Sequence, residues 1–344
     1  MKRLIILFLM LLLMMITSLS SKSVKGKNST VREKEISKIF KSKRVVKIRT
    51  VSGDCIVKKG KEKRINVKII HTFDENDYKP EMREEEDVLV LSENFKGSPE
   101  SGNAGWIITV PDKTEVDFKS ASGDFSIKGL TCELSAVTAS GDFKIENIKG
   151  NSKITTASGD LQLKRIHGRI RLKSASGDTE VKDITGDIEI RSASGDIEAK
   201  RIDGEFVIKT SSGDIKIEDS RGSYNIESVS GEIDVEDITL ENKSSFETVS
   251  GEISVRLSKS SDSDLSLEST SGDVVLDFNG NPIKGSFEFI VKKEGGEIIS
   301  PIKFEGVDEF YGNGRKYIRK YFQKGSSKPK ITIKTNSGDA ELKD

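Results

Sequence analysis

Apolar residues in this chain come in short alternating bursts. Phe125 and Ile127, Phe143 and Ile145, Leu161 and Leu163, and Ile215 and Ile217 each flank a polar residue. Ile170 with Leu172, Ile188 with Ile190 and Phe206 with Ile208 repeat the pattern a few residues on. A period of two belongs to a strand with one buried face; a helix would place its apolar residues three and four apart. The bursts are separated by Gly150, Gly168, Gly186, Gly204 and Gly222, or by the tripeptide Ser-Gly-Asp. Glycine between strand pieces marks a corner.

The tripeptide begins at Ser122, Ser140, Ser158, Ser176, Ser194 and Ser212, a period of 18 residues, and Ser230 opens a seventh unit reading Ser-Gly-Glu. A constant period means one unit stacked on its copies. A lone coil buries too little apolar surface to offset the entropy of fixing its backbone, so neighbours must supply the rest. The expected fold is all-β: an elongated, single-stranded parallel β-helix, or β-solenoid, with 18-residue coils.

The register loosens beyond Ser230 but persists at Ser250 and Ser271, and outlying copies lie at Ser52 and Ser337. One solenoid domain over residues 45–344 is therefore expected, with insertions at 71–87, 93–105 and 304–325. The last insertion gathers Phe304, Phe310, Tyr311, Tyr317, Tyr321 and Phe322 beside Arg315, Lys316, Arg319 and Lys320. Its expected role is a hydrophobic cover for the final coils; the alternative is a binding surface. Trp106 is expected in the core.

Lys2 and Arg3 precede an apolar run from Leu4 to Ile16, then small residues up to Ser20. That reads as a secretory signal peptide over residues 1–20, with an uncleaved membrane anchor as the alternative. Residues 21–44 read as a polar linker or N-terminal cap, where Thr30 and Glu33 suggest the opening of a short helix.

Charge is balanced, with 56 basic and 56 acidic residues, and no basic stripe follows the coils. Nucleic acid is excluded as the expected partner. Cys55 falls at an inward position and Cys132 at a corner, so their pairing is left open.

The tempting chemistry is the column Asp124, Asp142, Asp160, Asp178, Asp196 and Asp214. Stacked coils bring like residues to about 4.8 Å, near the carboxylate spacing of a retaining glycosidase. Acid–base catalysis needs two carboxylates in different surroundings, and these surroundings are near-copies. A turn role, with Ser and Asp side chains bonding backbone amides, is the leading reading. A calcium ladder is the alternative, weakened by Glu232 and Glu252 at two corners. His71 and His167 lack a visible Ser or Cys partner, so no catalytic, cofactor-binding or metal residue is assigned and the binding residues stay unknown.

The run WIITVPDKTEVDFKSASGDFSI over residues 106–127, followed by serial Ser-Gly-Asp coils, resembles the bacterial putative-adhesin family. VVKIRTVSGDCIVKKGKEKRINVKI looks like that family's opening section, and ITIKTNSGDAEL like its closing strand. The resemblance covers about residues 35–344 and implies a β-solenoid of unknown biochemical function. It implies surface attachment and no catalytic residues or cofactor. The resulting expectation is an exported, non-catalytic adhesin-like or cell-envelope scaffold, whose partner is a surface protein or glycan. The alternatives are an extracytoplasmic polysaccharide-acting enzyme and a calcium-stabilised rod.

Overall fold

The computed structural model describes residues 32–61, 63–97 and 102–344. Among them every regular element is a strand, and 30 strands join in one continuous hydrogen-bonded sheet. The expected signal peptide, and residues 21–31 of the expected linker, lie outside the described residues. Residues Lys34–Lys41 form a strand where the capping signal pointed to a helix. Antiparallel pairing with Arg64–His71 satisfies one side of its backbone, and Phe40 is driven into the core.

The sheet folds back on itself, so that each central coil gives one strand to each of two faces. Leu134–Ser140, Ser152–Ser158 and Ile170–Ser174 are successive rungs of the first face. Phe143–Lys149, Leu161–His167 and Thr179–Thr185 are the matching rungs of the second. All pair in parallel, with Leu134 opposite Ser152, Phe143 opposite Leu161 and Leu161 opposite Thr179. Further along, Ile226 faces Phe246 and Phe246 faces Leu267, so corner residues have been added without breaking the ladder.

Alternation dictates what the faces enclose. Ile145, Leu163, Val181, Ala199 and Ile217 form one fully buried column; Ile148, Ile166, Ile184 and Ile202 form another. Parallel register stacks like on like, which suits β-branched side chains. Rings stack too: Phe118 lies 4.3 Å from Phe125, and Phe206 lies 4.6 Å from Tyr224.

The order of coils departs from the expected sequential run. Val45–Arg49 lies between Val88–Ser92 and Glu115–Ser120, and Asp54–Lys59 lies between Ala104–Val110 and Phe125–Lys128. At the other end, Lys330–Thr335 lies between Leu265–Ser271 and Gly285–Lys292. Ala340–Lys343 likewise separates Val274–Asp277 from Ile298–Ile299. The first and last parallel rungs in chain order, residues 45–59 and 330–343, are thus threaded one coil inward, and the outermost coil at each end is built from an internal segment. A strand held on both sides leaves no open backbone edge.

Antiparallel strands finish both ends, correcting the purely parallel expectation. Arg64–His71 pairs with Ala104–Val110, and Glu81–Glu84 with Val88–Ser92. At the far end, Arg315–Lys324 pairs with Gly285–Lys292 and in turn carries Gly306–Gly312. The segments read as insertions at 71–87 and 304–325 therefore contain ordered strands.

Candidate functional site

Every regular coil turns at the Ser-Gly-Asp corner, at a left-handed bend within the second-face strand and at the Gly150-type corner. The first corner is Ser-Gly-Asp. Its glycines sit back to back: a Cβ built at Gly195 would run into the carbonyl oxygen of Gly177, and φ at Gly195 is +100°. The residue two places before the serine stitches the corner, as Thr156 Oγ1 donates to the Ser158 carbonyl at 2.8 Å and Ser174 Oγ to the Ser176 carbonyl at 2.7 Å.

The aspartates reach along the axis rather than across their own turn. The N–H of Asp142 donates to the Asp124 carboxylate at 2.8 Å, and the N–H of Asp160 donates to Asp142 at 2.8 Å. Asp178, Asp196 and Asp214 continue the chain, each at 2.9 Å. The threaded ends join it: Asp124 N–H donates to Asp54 at 3.0 Å and Asp339 N–H to Asp273 at 2.8 Å. The Glu232 N–H still donates to Asp214 at 2.8 Å, but among the described residues the Glu232 and Glu252 carboxylates accept no such amide. Glu232 is instead pushed above the usual carboxylate range by burial, and then by the charges of Glu252, Asp234 and Asp214.

The corner at Val51–Gly53 has a different partner, which the sequence reading missed. Glu93 is 5% exposed. One carboxylate oxygen accepts the N–H groups of Val51, Ser52 and Gly53 at 2.7, 3.1 and 3.2 Å. The other accepts from Tyr78 Oη at 3.2 Å and Trp106 Nε1 at 3.3 Å. Consecutive backbone amides form a natural anion cradle, and here the chain's own carboxylate fills it. The only signal was an acidic residue just after the apolar run VLVLS.

The corner read at Gly150, Gly168, Gly186, Gly204 and Gly222 is present, each glycine at positive φ; a further bend, inside the second-face strand, was invisible in the sequence. Gly129 (φ +77°) is followed one coil at a time by Asn147, Arg165, Asp183, Arg201, Asp219 and Asp237, all with φ between 50° and 57°. Left-handed backbone costs about 1–2 kcal/mol for an ordinary side chain. Here it bends the strand so that Ile148, Ile166, Ile184 and Ile202 turn inward. Outside the bend runs a shallow groove of about 720 Å³. One wall is the left-handed column; the other is Thr131, Lys149, His167, Thr185, Asp203 and Arg221, with Leu130, Ile184 and Ile202 beneath. Arg165 Nε donates to Asn147 Oδ1 and Arg201 Nε to Asp183 Oδ1, both at 2.7 Å. A second groove of about 500 Å³ follows the aspartate corner past Gln162, Glu180, Glu198 and Lys216.

The other singled-out residues fall apart spatially. His71 is buried beside Tyr78, with ring centroids 4.6 Å apart, and burial lowers its pKa. His167 stands exposed on the groove wall. Cys55 and Cys132 are buried free thiols; burial, then Glu133 and Asp112, push Cys132 up to about 12. Trp106 is fully buried, as expected. The aromatic segment is divided: Phe322 is buried against Phe287 at 4.6 Å, whereas Tyr311 is 76% exposed. Among the described residues no three His, Cys, Asp or Glu side chains converge on a metal-sized site.

These features define an all-β, solenoid-like repeat protein. The chain belongs to the Toastrack DUF4097 family, whose model matches residues 47–205 and 204–295. It is similar to the solved structure of a "putative cell adhesion protein" from Clostridium sporogenes, at 13% identity over 91% of this chain and 99% of that one, with a TM-score of 0.22. A "putative lipid binding protein" from Parabacteroides distasonis is 14% identical over 91% and 97%, with a TM-score of 0.36. A "putative adhesin" from the same organism is 12% identical over 74% and 91%, with a TM-score of 0.35. No curated protein matches the chain.

Proposed function

We propose that this chain is an exported, non-catalytic binding module of the cell envelope, adhesin-like in its role, that holds an extended surface polymer lengthwise against its 18-residue coils. The basic start, apolar run and small residues of positions 2–20 support export. Residues 45–344 act as one unit in this reading, with the ends closing the stack.

The observation that carries it is the commitment of the aspartate column. Each carboxylate from Asp124 to Asp214 already accepts an amide from the next coil. Near-identical, structurally engaged carboxylates are poor acid–base pairs, because catalysis requires surroundings that drive two pKa values apart. This weighs against the polysaccharide-cleaving alternative. The same bonds occupy oxygens that a calcium ladder would need. The bend groove, by contrast, crosses several coils and is open along the axis, as a filamentous ligand requires.

The test applies the purified chain to immobilised envelope polysaccharides and surface proteins, with reducing-sugar release assayed on the same samples. Retention without release is expected. Release of sugar would overturn the non-catalytic reading, and retention of nothing would overturn the binding reading.

A further inference from the structure

The polar groups of the bend groove are unevenly paired. Toward its C-terminal end each cation has a carboxylate one coil away: Arg201 with Asp183 at 2.7 Å, Arg221 with Asp203 at 2.6 Å. Toward the N-terminal end the balance changes, although Lys59 at the outer rim is paired with Asp112. Arg165 gives Nε to the neutral amide of Asn147, and its contact with Glu146 stretches to 3.5 Å. Lys149 and His167 are ladder partners on the facing wall, and neither has an ion pair among the described residues. Gly129 leaves open space beside them, since a Cβ there would meet nothing within 4 Å.

We propose that this half of the groove is an anion subsite for an acidic polysaccharide: Lys149, Arg165 and His167 take an oxyanion group while hydroxyls run along the paired half. The inference rests on the binding reading above and names its ligand class. A hydroxyl both donates and accepts, so it can bridge Asp183 to Arg201 or Asp203 to Arg221 without unbalancing either pair. A dense polyanion would meet Asp183, Asp203 and Asp219 over the same stretch and be repelled, which argues against nucleic acid. Successive coils step by about 4.8 Å, close to the length of one sugar ring along a chain.

Titration calorimetry of the full chain would compare a galacturonic-acid oligomer, a sulfated dextran oligomer, a neutral dextran oligomer of equal length and oligoglutamate. Both acidic saccharides are expected to bind more tightly than the neutral one, and added salt should weaken them. The tighter of the two identifies carboxylate or sulfate as the group held. Lys149→Gln combined with Arg165→Gln should lower that affinity about tenfold, while Lys243→Gln, on a distant loop, should not. Equal binding of neutral and acidic oligomers, unaffected by the double variant, would overturn the anion subsite and leave the binding reading intact. Oligoglutamate binding as tightly as the saccharides would overturn the polysaccharide assignment. If the chain captures a polymer in the envelope assay but no oligomer here, the subsite alone falls.

Discussion

At the residue scale the decisive contact is a carboxylate holding the next coil's amide. The tripeptide announces a corner in the sequence, and a turn role for its aspartate was legible there. The direction of the bond was not, because a sequence does not say whether a side chain serves its own turn or its neighbour's. The left-handed column was hidden more deeply. Asn147, Arg165 and Asp183 are ordinary residues at unfavourable φ, and only Gly129 in that column hints at the backbone. Asp178→Ala should cost about 1 kcal/mol, as expected for one lost, partly exposed hydrogen bond, and Asp178→Asn less, because the amide oxygen still accepts. Glu232→Asp should stabilise the chain by restoring the acceptor for Glu252; urea denaturation reads all three. Gly195→Val should be severe, about 3 kcal/mol or more, since both φ and the Gly177 carbonyl oppose a side chain. An unchanged urea midpoint would show that the corner is not packed as described.

The flanking charges add a pH signature. Hydrogen bonds from Lys182, then Gln162 and Lys164, hold Glu180 at about 2, against an ordinary value of 4.5. A carboxylate depressed in the folded state contributes its stabilisation fully above the unfolded value and loses it as pH falls toward the folded one. Thermal stability should therefore decline between about pH 4.5 and 2, and Glu180→Gln should flatten that decline. A steeper fall in the variant would contradict the assignment. Glu232 works in the opposite sense, since its raised pKa means that protonation relieves the cost of burying its charge and then the repulsion from Glu252, Asp234 and Asp214.

At the scale of elements, strand existence was readable from alternation and strand order was not. VVKIR and KITIK look like any other rung, and the pattern of side chains fixes a face without choosing a neighbour. Loop connections decide that, and they place both segments inside the stack. The edges left over are managed differently. Lys34–Lys41 presents Lys34, Lys38 and Lys41 along its edge, a charge device that discourages further pairing. Gly306–Gly312 carries Asp308 and Glu309, which are neutralised by Arg319 and by Lys293 with Lys316. The aromatic segment, expected mainly as cover, is cover on one side only. Phe322→Ala should cost about 3–5 kcal/mol, the usual range for a buried ring, whereas Tyr311→Ser should leave the melting temperature within a degree or so. Equal effects from the two would contradict the division of the hairpin into an inner and an outer face.

At the scale of the whole molecule, the all-β class followed from the alternation and an adhesin-like family from the resemblance, while the grooves did not, because they arise from backbone bends within strands. What unites the observations is a stack of parallel rungs whose first and last parallel segments in chain order are threaded one coil inward. Lys144, Gln162, Glu180, Glu198 and Lys216 share one column, which continues through Asp234, Ser254 and Val275 to Glu341. Spin labels at Lys144 and Lys216 are four rungs apart, and so are labels at Lys216 and Glu341, despite very different sequence separations. Pulsed electron-spin distance measurement on these two pairs is the most direct test. Two nearly equal distances of about 19 Å between backbone sites are predicted; a Lys216–Glu341 distance one rung or more longer, or no relation between distance and rung number, would contradict the architecture.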